Sequence, residues 1–248
     1  MTSAKVMLSV ATLMGCLVMS GCSLFQGDKA PPLEAPYADT QTWAVAPLRN
    51  ESGSQQVDVL RVADHLTRQF EEAQGLSAVP VNRVIAAMES LELPELTNPE
   101  EAALLRETLG VDALVVGTVT AYDPYDPPEL GLALELYTGP QIPRARIEIR
   151  KLTAAPTDET AQPREVDPGQ PVTIVSGHYD AGVPRVRERL QDYGHERGAE
   201  ASGDGGWRRY RLSMDLYTEF VSYVAGERLL DAERQRLQPP ATSTLSAP

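Results

Sequence analysis

The sequence predicts an α/β fold, a mixed sheet flanked by helices with a β-α-β-α-α-β core, then a C-terminal hairpin, strand and helices. Three observations carry this. Residues 109–122 (LGVDALVVGTVTAY) form the most apolar run outside the N-terminus, rich in the Val, Thr and Tyr that suit a pleated surface. Apolar residues fall on both faces of that run (Leu114, Val115, Val116), as in a strand covered on both sides. Before it, stripes at spacings of three and four alternate with short apolar runs. After it, the spacing changes to two and later returns to helical.

Taken in order, residues 42–48 (TWAVAPL) alternate as a first strand, with Trp43 and Val45 on one face, and residues 49–54 are a turn-rich loop. Val57, Leu60, Ala63, Leu66, Phe70 and Ala73 draw a helical stripe that Gly75 closes. Residues 76–81 are a second strand. Asn82 is the expected cap of a helix over 82–91, whose inner face is Val84, Ile85, Met88 and Leu91 and which Pro94 stops. Asn98-Pro99-Glu100-Glu101 is a strong start for a helix over 99–109: a capping Asn, Pro at the first position and Glu at the third. Gly110 ends that helix just before the central strand.

Prolines 124, 127 and 128 force residues 123–129 out of regular structure. Leu130, Leu132, Leu134 and Leu136 then alternate with smaller or polar residues. Beyond Gly139-Pro140, Arg144, Arg146, Glu148 and Arg150 alternate with Ala145, Ile147 and Ile149. These two runs are read as one hairpin with a dry and a charged face. Residues 154–170 are polar and aperiodic, an expected exposed loop. Residues 172–178 return as a strand. Val183, Val186, Leu190 and Tyr193 stripe a helix between Pro184 and Gly194, and residues 196–206 form a Gly-rich loop. Tyr210, Met214, Tyr217, Val221 and Val224, widened by Phe220, mark one long final helix. The stripe is read as a core face, because so large an apolar face left open would be sticky.

The expected divisions are a signal peptide (1–21), a tether (22–41), an α/β core (42–153), the exposed loop, a C-terminal part packing on the core (171–237) and a disordered tail (238–248).

Composition bounds the function. The net charge is −13, with a pI near 4.7. Nothing of that sign neutralises phosphates along an extended footprint, so nucleic acid is excluded as a partner. The two cysteines, Cys16 and Cys22, both lie in the N-terminal apolar segment, leaving the remaining chain without a disulfide framework, a thiol nucleophile or a thiolate metal site.

That segment has a lone cation at Lys5 and an interrupted apolar stretch over 6–19, too short for a comfortable membrane span but suited to a signal peptide. Met19-Ser20-Gly21-Cys22 follows and resembles the lipobox of bacterial lipoproteins, in which cleavage precedes a Cys that carries lipid. Met19 departs from the Leu, Val or Ile usual there. Leu13-Met14-Gly15-Cys16 is a rival that leaves a very short apolar stretch. The resemblance implies acylation, palmitate included, at Cys22. Ser23 is not the Asp that retains such proteins at the inner membrane, so the expected location is the periplasmic face of the outer membrane.

Catalytic signals are weak. His65, His178 and His195 are scattered, with no second His at helical spacing, no G-x-S-x-G elbow and no phosphate loop. Asp123, Asp126 and Glu129 place three carboxylates in one short loop. Calcium takes six to eight oxygens and the loop offers few others, so the reading is a solvated acidic loop without a metal. No catalytic residue, cofactor or metal is assigned.

Two segments resemble a known group. Residues 45–53 (VAPLRNESG) are similar to the first strand and following loop of periplasmic lipoproteins related to the curli secretion channel and to the penicillin-binding-protein activators. Residues 109–122 resemble their "Gly-x-Asp … Gly-x-x" strand. The resemblance implies a small α/β domain without catalytic residues that binds other envelope proteins and often forms rings, so a homo-oligomer is a possible state. A membrane barrel needs strands of about 9–11 residues with a lipid-facing side, and the charged face of 144–150 disfavours a pore. The expectation is a non-enzymatic, lipid-anchored envelope lipoprotein that scaffolds or regulates an envelope assembly through protein contacts. The alternatives are a curli-type channel subunit and a periplasmic hydrolase using one of the histidines.

Overall fold

A computed structural model describes residues 32–139, 170–198 and 206–238. Six strands are found among them: β1 (Gln41–Val45), β2 (Arg49–Asn50), β3 (Leu76–Val79), β4 (Ala113–Asp123), β5 (Glu129–Thr138) and β6 (Thr173–Asp180). The helices are α1 (Val59–Glu72), α2 (Val81–Ser90), α3 (Pro99–Leu109), α4 (Pro184–Glu196), α5 (Arg208–Leu212) and α6 (Met214–Leu237). The sheet order is β3-β1-β4-β5-β6, with β2 also pairing β4. Pairing is parallel for β1 with β3 and β4, and antiparallel from β4 through β5 to β6. The predicted mixed α/β sheet is therefore present, with β4 at its centre.

Local chemistry explains the elements. Asp58 accepts the Arg61 N–H at 3.0 Å and starts α1. Asn98 accepts the Glu101 N–H at 2.9 Å, while the Glu101 carboxylate takes the Thr97 N–H at 2.7 Å, a reciprocal cap at the head of α3. Gly110 (φ +66°) ends α3 in the left-handed region. Two residues later Asp112 binds the start of β1, so the Gly-x-Asp spacing joins a helix stop to a strand clamp. Leu48 packs over Gly117, where a Cβ would lie 2.8 Å from its Cγ. That contact explains a glycine in mid-strand.

The sheet carries two helix layers. On one face α1 and α6 cover Trp43, Val45, Val115, Leu132 and Leu134, with α4 and α5 alongside. Trp43 is fully buried and tilts on Phe70 at 5.1 Å. Side chains of this size each contribute about 2–3 kcal/mol on burial. On the other face α2 and α3 cover Ala44, Leu114 and Tyr137 with Val84, Met88 and Leu105. Among the described residues this second layer stops near the middle of the sheet.

Several details differ from the sequence reading. Pro80, not Asn82, precedes α2, and Asn82 lies inside it. The first strand breaks at Pro47, and Arg49–Asn50 resumes as β2 rather than as a loop. The hairpin is β4 with β5, closed by the proline loop. The expected partner run, 144–150, lies outside the described residues, as do the signal segment, most of the exposed loop and nearly all of the tail. Gly194 does not end α4. It sits inside the helix with Trp207 packed against it. The long final helix is two helices, because Ser213 leaves the helical region and caps α6 by accepting the Leu216 N–H.

The largest difference is in residues 22–41. From residue 33 onward this segment is docked on the fold instead of standing off as a tether. Leu33 and Ala35 are buried, Ala35 N–H donates to Gln74 O at 2.9 Å, and Gln74 N–H donates to Leu33 O at 2.7 Å.

Candidate functional site

Cys22, the predicted lipidation residue, lies outside the described residues. No helix among the described residues is long and apolar enough to cross a membrane.

The three histidines are not brought together. His65 is buried on α1, its Nε2 2.8 Å from Asp215 Oδ1 at the head of α6. Arg61 also binds Asp215 Oδ1, at 2.5 Å. Hydrogen bonding from Arg61, then from His65, holds the Asp215 carboxyl well below the usual range against the opposing effect of burial. This is an interhelical tie. His195 is exposed on α4. His178 is exposed on β6, its Nε2 3.3 Å from Glu129. Ser176 shares its strand face, but no hydrogen bond among the described residues joins the two.

The three loop carboxylates also diverge. Asp123 accepts the Tyr125 N–H at 3.0 Å, Asp126 is held by Arg211 through two bonds of 2.5 and 2.9 Å, and Glu129 faces His178. Among the described residues no group of three potential metal ligands converges.

The Tyr217–Val224 part of the aromatic stripe is core, as predicted. Tyr217, Phe220 and Val221 are buried. Tyr193 stacks edge-on against Tyr210 and Phe220, its hydroxyl donates to Glu219 at 2.9 Å, and the Arg197 guanidinium lies 3.6 Å over its ring.

What remains is a surface. On the face served by α2 and α3, the far half of the sheet has no helical cover among the described residues. Register aligns Glu135 with Ile174, Ala133 with Ser176 and Gly131 with His178. Alternation puts these on one face, since Thr173 and Tyr179 point to the α6 side. Thr120, Ile174, Ser176 and His178 are exposed, and Ile174 is 62% exposed. Arg49 crosses the inner margin, donating to Thr118 Oγ1 at 3.3 Å and pairing with Glu51 at 3.5 Å. Small and polar side chains give a shallow surface with one apolar projection. It is suited to contact with a macromolecule and poorly suited to enclosing a small molecule.

A second feature lies on the opposite side. The segment from residue 33 crosses α6, and the Tyr37 hydroxyl donates to Glu233 Oε1 at 2.9 Å. Glu233 is fully buried and also accepts from Thr173 Oγ1 at 2.8 Å and from Arg236 at 2.6 and 2.7 Å. Burial pushes its carboxyl up, but hydrogen bonds from Arg236, Thr173 and Tyr37 outweigh that and hold it below the ordinary range. A groove of about 190 Å³ lies beside the segment, bounded by Leu33, Tyr223, Leu230 and Arg234. The sequence held a signal for this docking: Leu33, Ala35 and Tyr37 alternate, a period of two masked by Pro32 and Pro36.

No protein-family model matches the chain, and no curated protein matches it. Among solved structures, the chain is similar to the LpoB C-terminal domain from Salmonella enterica, with a TM-score of 0.39 and 10% identity over 58% of this chain and 85% of that one. It is similar to lipoprotein GNA1162 from Neisseria meningitidis, with a TM-score of 0.32 and 17% identity over 56% and 80%. A third is the hypothetical protein CT253 from Chlamydia trachomatis, with a TM-score of 0.36 and 12% identity over 78% and 97%. At these values none of them bears on what the chain does.

Proposed function

We propose that the chain is a non-enzymatic lipoprotein of the bacterial envelope, acylated at Cys22 and held at the periplasmic face of the outer membrane. There it scaffolds or regulates an assembly of other envelope proteins. The reading is carried by the open half of the sheet, Ile174 with Ser176 and His178, on the side opposite the docked N-terminal segment. An acyl anchor raises the effective concentration of such a face near membrane-bound partners. One acyl chain binds a bilayer only marginally, so firm anchoring needs more than one.

Two measurements test it. Labelling with a fatty-acid analogue is expected for the wild-type chain and lost in Cys22→Ala; labelling of the variant refutes the anchor. A photo-crosslinking residue at Ile174 is expected to give a discrete protein adduct in intact envelopes, while one at Arg68, exposed on α1, gives none. Equal adducts at both positions refute the face.

A further inference from the structure

The segment between residue 33 and β1 is held in a way that allows it to leave without dismantling the fold. Its inward-facing side chains include the buried Leu33 and Ala35 and the half-buried Tyr37; residues 38–40 are exposed, Asp39 with a polar or electrostatic contact of its own. Two backbone bonds to Gln74 and one from Arg234 Nη2 to Glu34 O, at 2.9 Å, fix its path. By contrast, β4 and β5 pair along ten residue positions. Segments with few buried contacts and few backbone bonds open at a fraction of the global unfolding free energy.

The receiving site is complete without the segment. When Tyr37 departs, Glu233 keeps the Thr173 hydroxyl and both bonds from Arg236, so no buried carboxylate is left unpaired. Trp43 loses an edge contact with Tyr37, at 6.1 Å between ring centroids, but keeps Phe70. Any pull on the chain from the Cys22 side reaches Leu33 first.

We propose that residues 33–40 are a releasable strap that sets how far the folded part can stand from the point where the chain is anchored. The reach consequence rests on the anchor reading given above; the docking itself does not. Docked, eleven residue steps separate Cys22 from Leu33, a span of at most about 40 Å fully extended. Released, nineteen steps separate Cys22 from Gln41, at most about 70 Å. Docked, the strap lies on the α6 side of the sheet, opposite its open half.

Hydrogen exchange on the full chain carrying Cys22→Ser tests the strap independently of acylation. The amides of Ala35 and Gln74 are expected to exchange at least about tenfold faster than those of Val115 and Leu134, through sub-global opening. Leu33→Asp is expected to leave the first pair close to unprotected while the second pair, though faster by the loss of global stability, stays protected. Tyr37→Phe, which keeps the shape, is expected to do the same to a smaller degree should Leu33→Asp fail to fold. Strap amides that exchange as slowly as Leu134 in the wild type, or that keep the pace of Leu134 in both variants, overturn the proposal. A second arm uses acylated chain, dye-labelled at Ser176→Cys, on phosphatidylethanolamine–phosphatidylglycerol vesicles holding an acceptor lipid. Energy transfer is expected to fall in Leu33→Asp, and equal transfer overturns the change in reach. Failure of the chain to bind vesicles refutes the anchor and with it the reach consequence, while the exchange arm still decides the strap.

Discussion

Asp112 holds Thr42 from both sides: its Oδ2 accepts the Thr42 N–H at 2.8 Å, and its own N–H donates to Thr42 O at 2.9 Å. The pair sets the register of β1 on β4, which runs Trp43 on Ala113 and Ala44 on Leu114. A slip of one residue would send Trp43 to the wrong face. Asp112→Ala is expected to cost about 1 kcal/mol, the usual net worth of one hydrogen bond near the surface. Asp112→Asn, which keeps an acceptor oxygen, is expected to cost less. Urea midpoints at unchanged slope measure both; a variant as stable as wild type would show that the strands find this register without the clamp.

The Glu233 cluster predicts an asymmetric pair of effects. Tyr37→Phe removes one donor from a carboxylate that keeps two other partner residues, and about 1 kcal/mol of stability is expected to go with it. Glu233→Ala strands the Thr173 and Tyr37 hydroxyls and unpairs Arg236, so about 3 kcal/mol is expected. Equal losses in the two variants would contradict the arrangement.

The same carboxyls give the fold a pH dependence. Glu233 and Asp215 both titrate below their ordinary values in the folded chain. A depressed folded pKa contributes stability that is present above the unfolded value and lost as pH falls through the folded one. The groups facing Glu233 are Tyr37, Thr173 and Arg236; those facing Asp215 are Arg61 and His65. The thermal midpoint is expected to fall steadily as pH drops below about 5, the top of the carboxylate range. At the alkaline end, burial raises the phenols of Tyr37, Tyr193 and Tyr217 above their ordinary value. That contribution is present below about pH 10 and lost above it. Absorbance near 295 nm should therefore report these tyrosines ionising only together with unfolding; an early, separate titration of all nine tyrosines would contradict their burial.

Much of this fold is readable from spacing alone, and the reasons are physical. Asn98-Pro99-Glu100-Glu101 and Gly110 delimit α3 because capping chemistry is local, needing no tertiary partner. The stripe from Tyr217 to Val224 identifies the buried face of α6 because a wide apolar face has one solution. Asn82 misleads because a capping residue type competes with Pro80, which sets the extended backbone before α2. The hairpin misleads because alternation tells which residues share a face but not which strand lies beside them. The strap escapes notice because Pro32 and Pro36 look like linker punctuation, while its partner Glu233 lies about 200 residues away in sequence. The open half-sheet is invisible in sequence, since Thr120, Ser176 and His178 read as ordinary polar positions until the helix layer above them is seen to stop.

That termination makes Ile174 the position at which stability and function separate. It is 62% exposed, and Glu135 lies opposite it on β5. Ile174→Asp is expected to change stability by no more than about 0.5 kcal/mol, as for most surface changes, although the like charge opposite Glu135 adds a small penalty. Leu134→Asp, three pairs from the Gly131–His178 register but on the buried face, places a charge in the core and is expected to abolish folding. If the open face receives a protein partner, Ile174→Asp must remove the adduct formed from a crosslinker at Ser176 in intact envelopes while leaving the urea midpoint where it was. Loss of both would make Ile174 a structural residue, and loss of neither would move the contact elsewhere on the molecule.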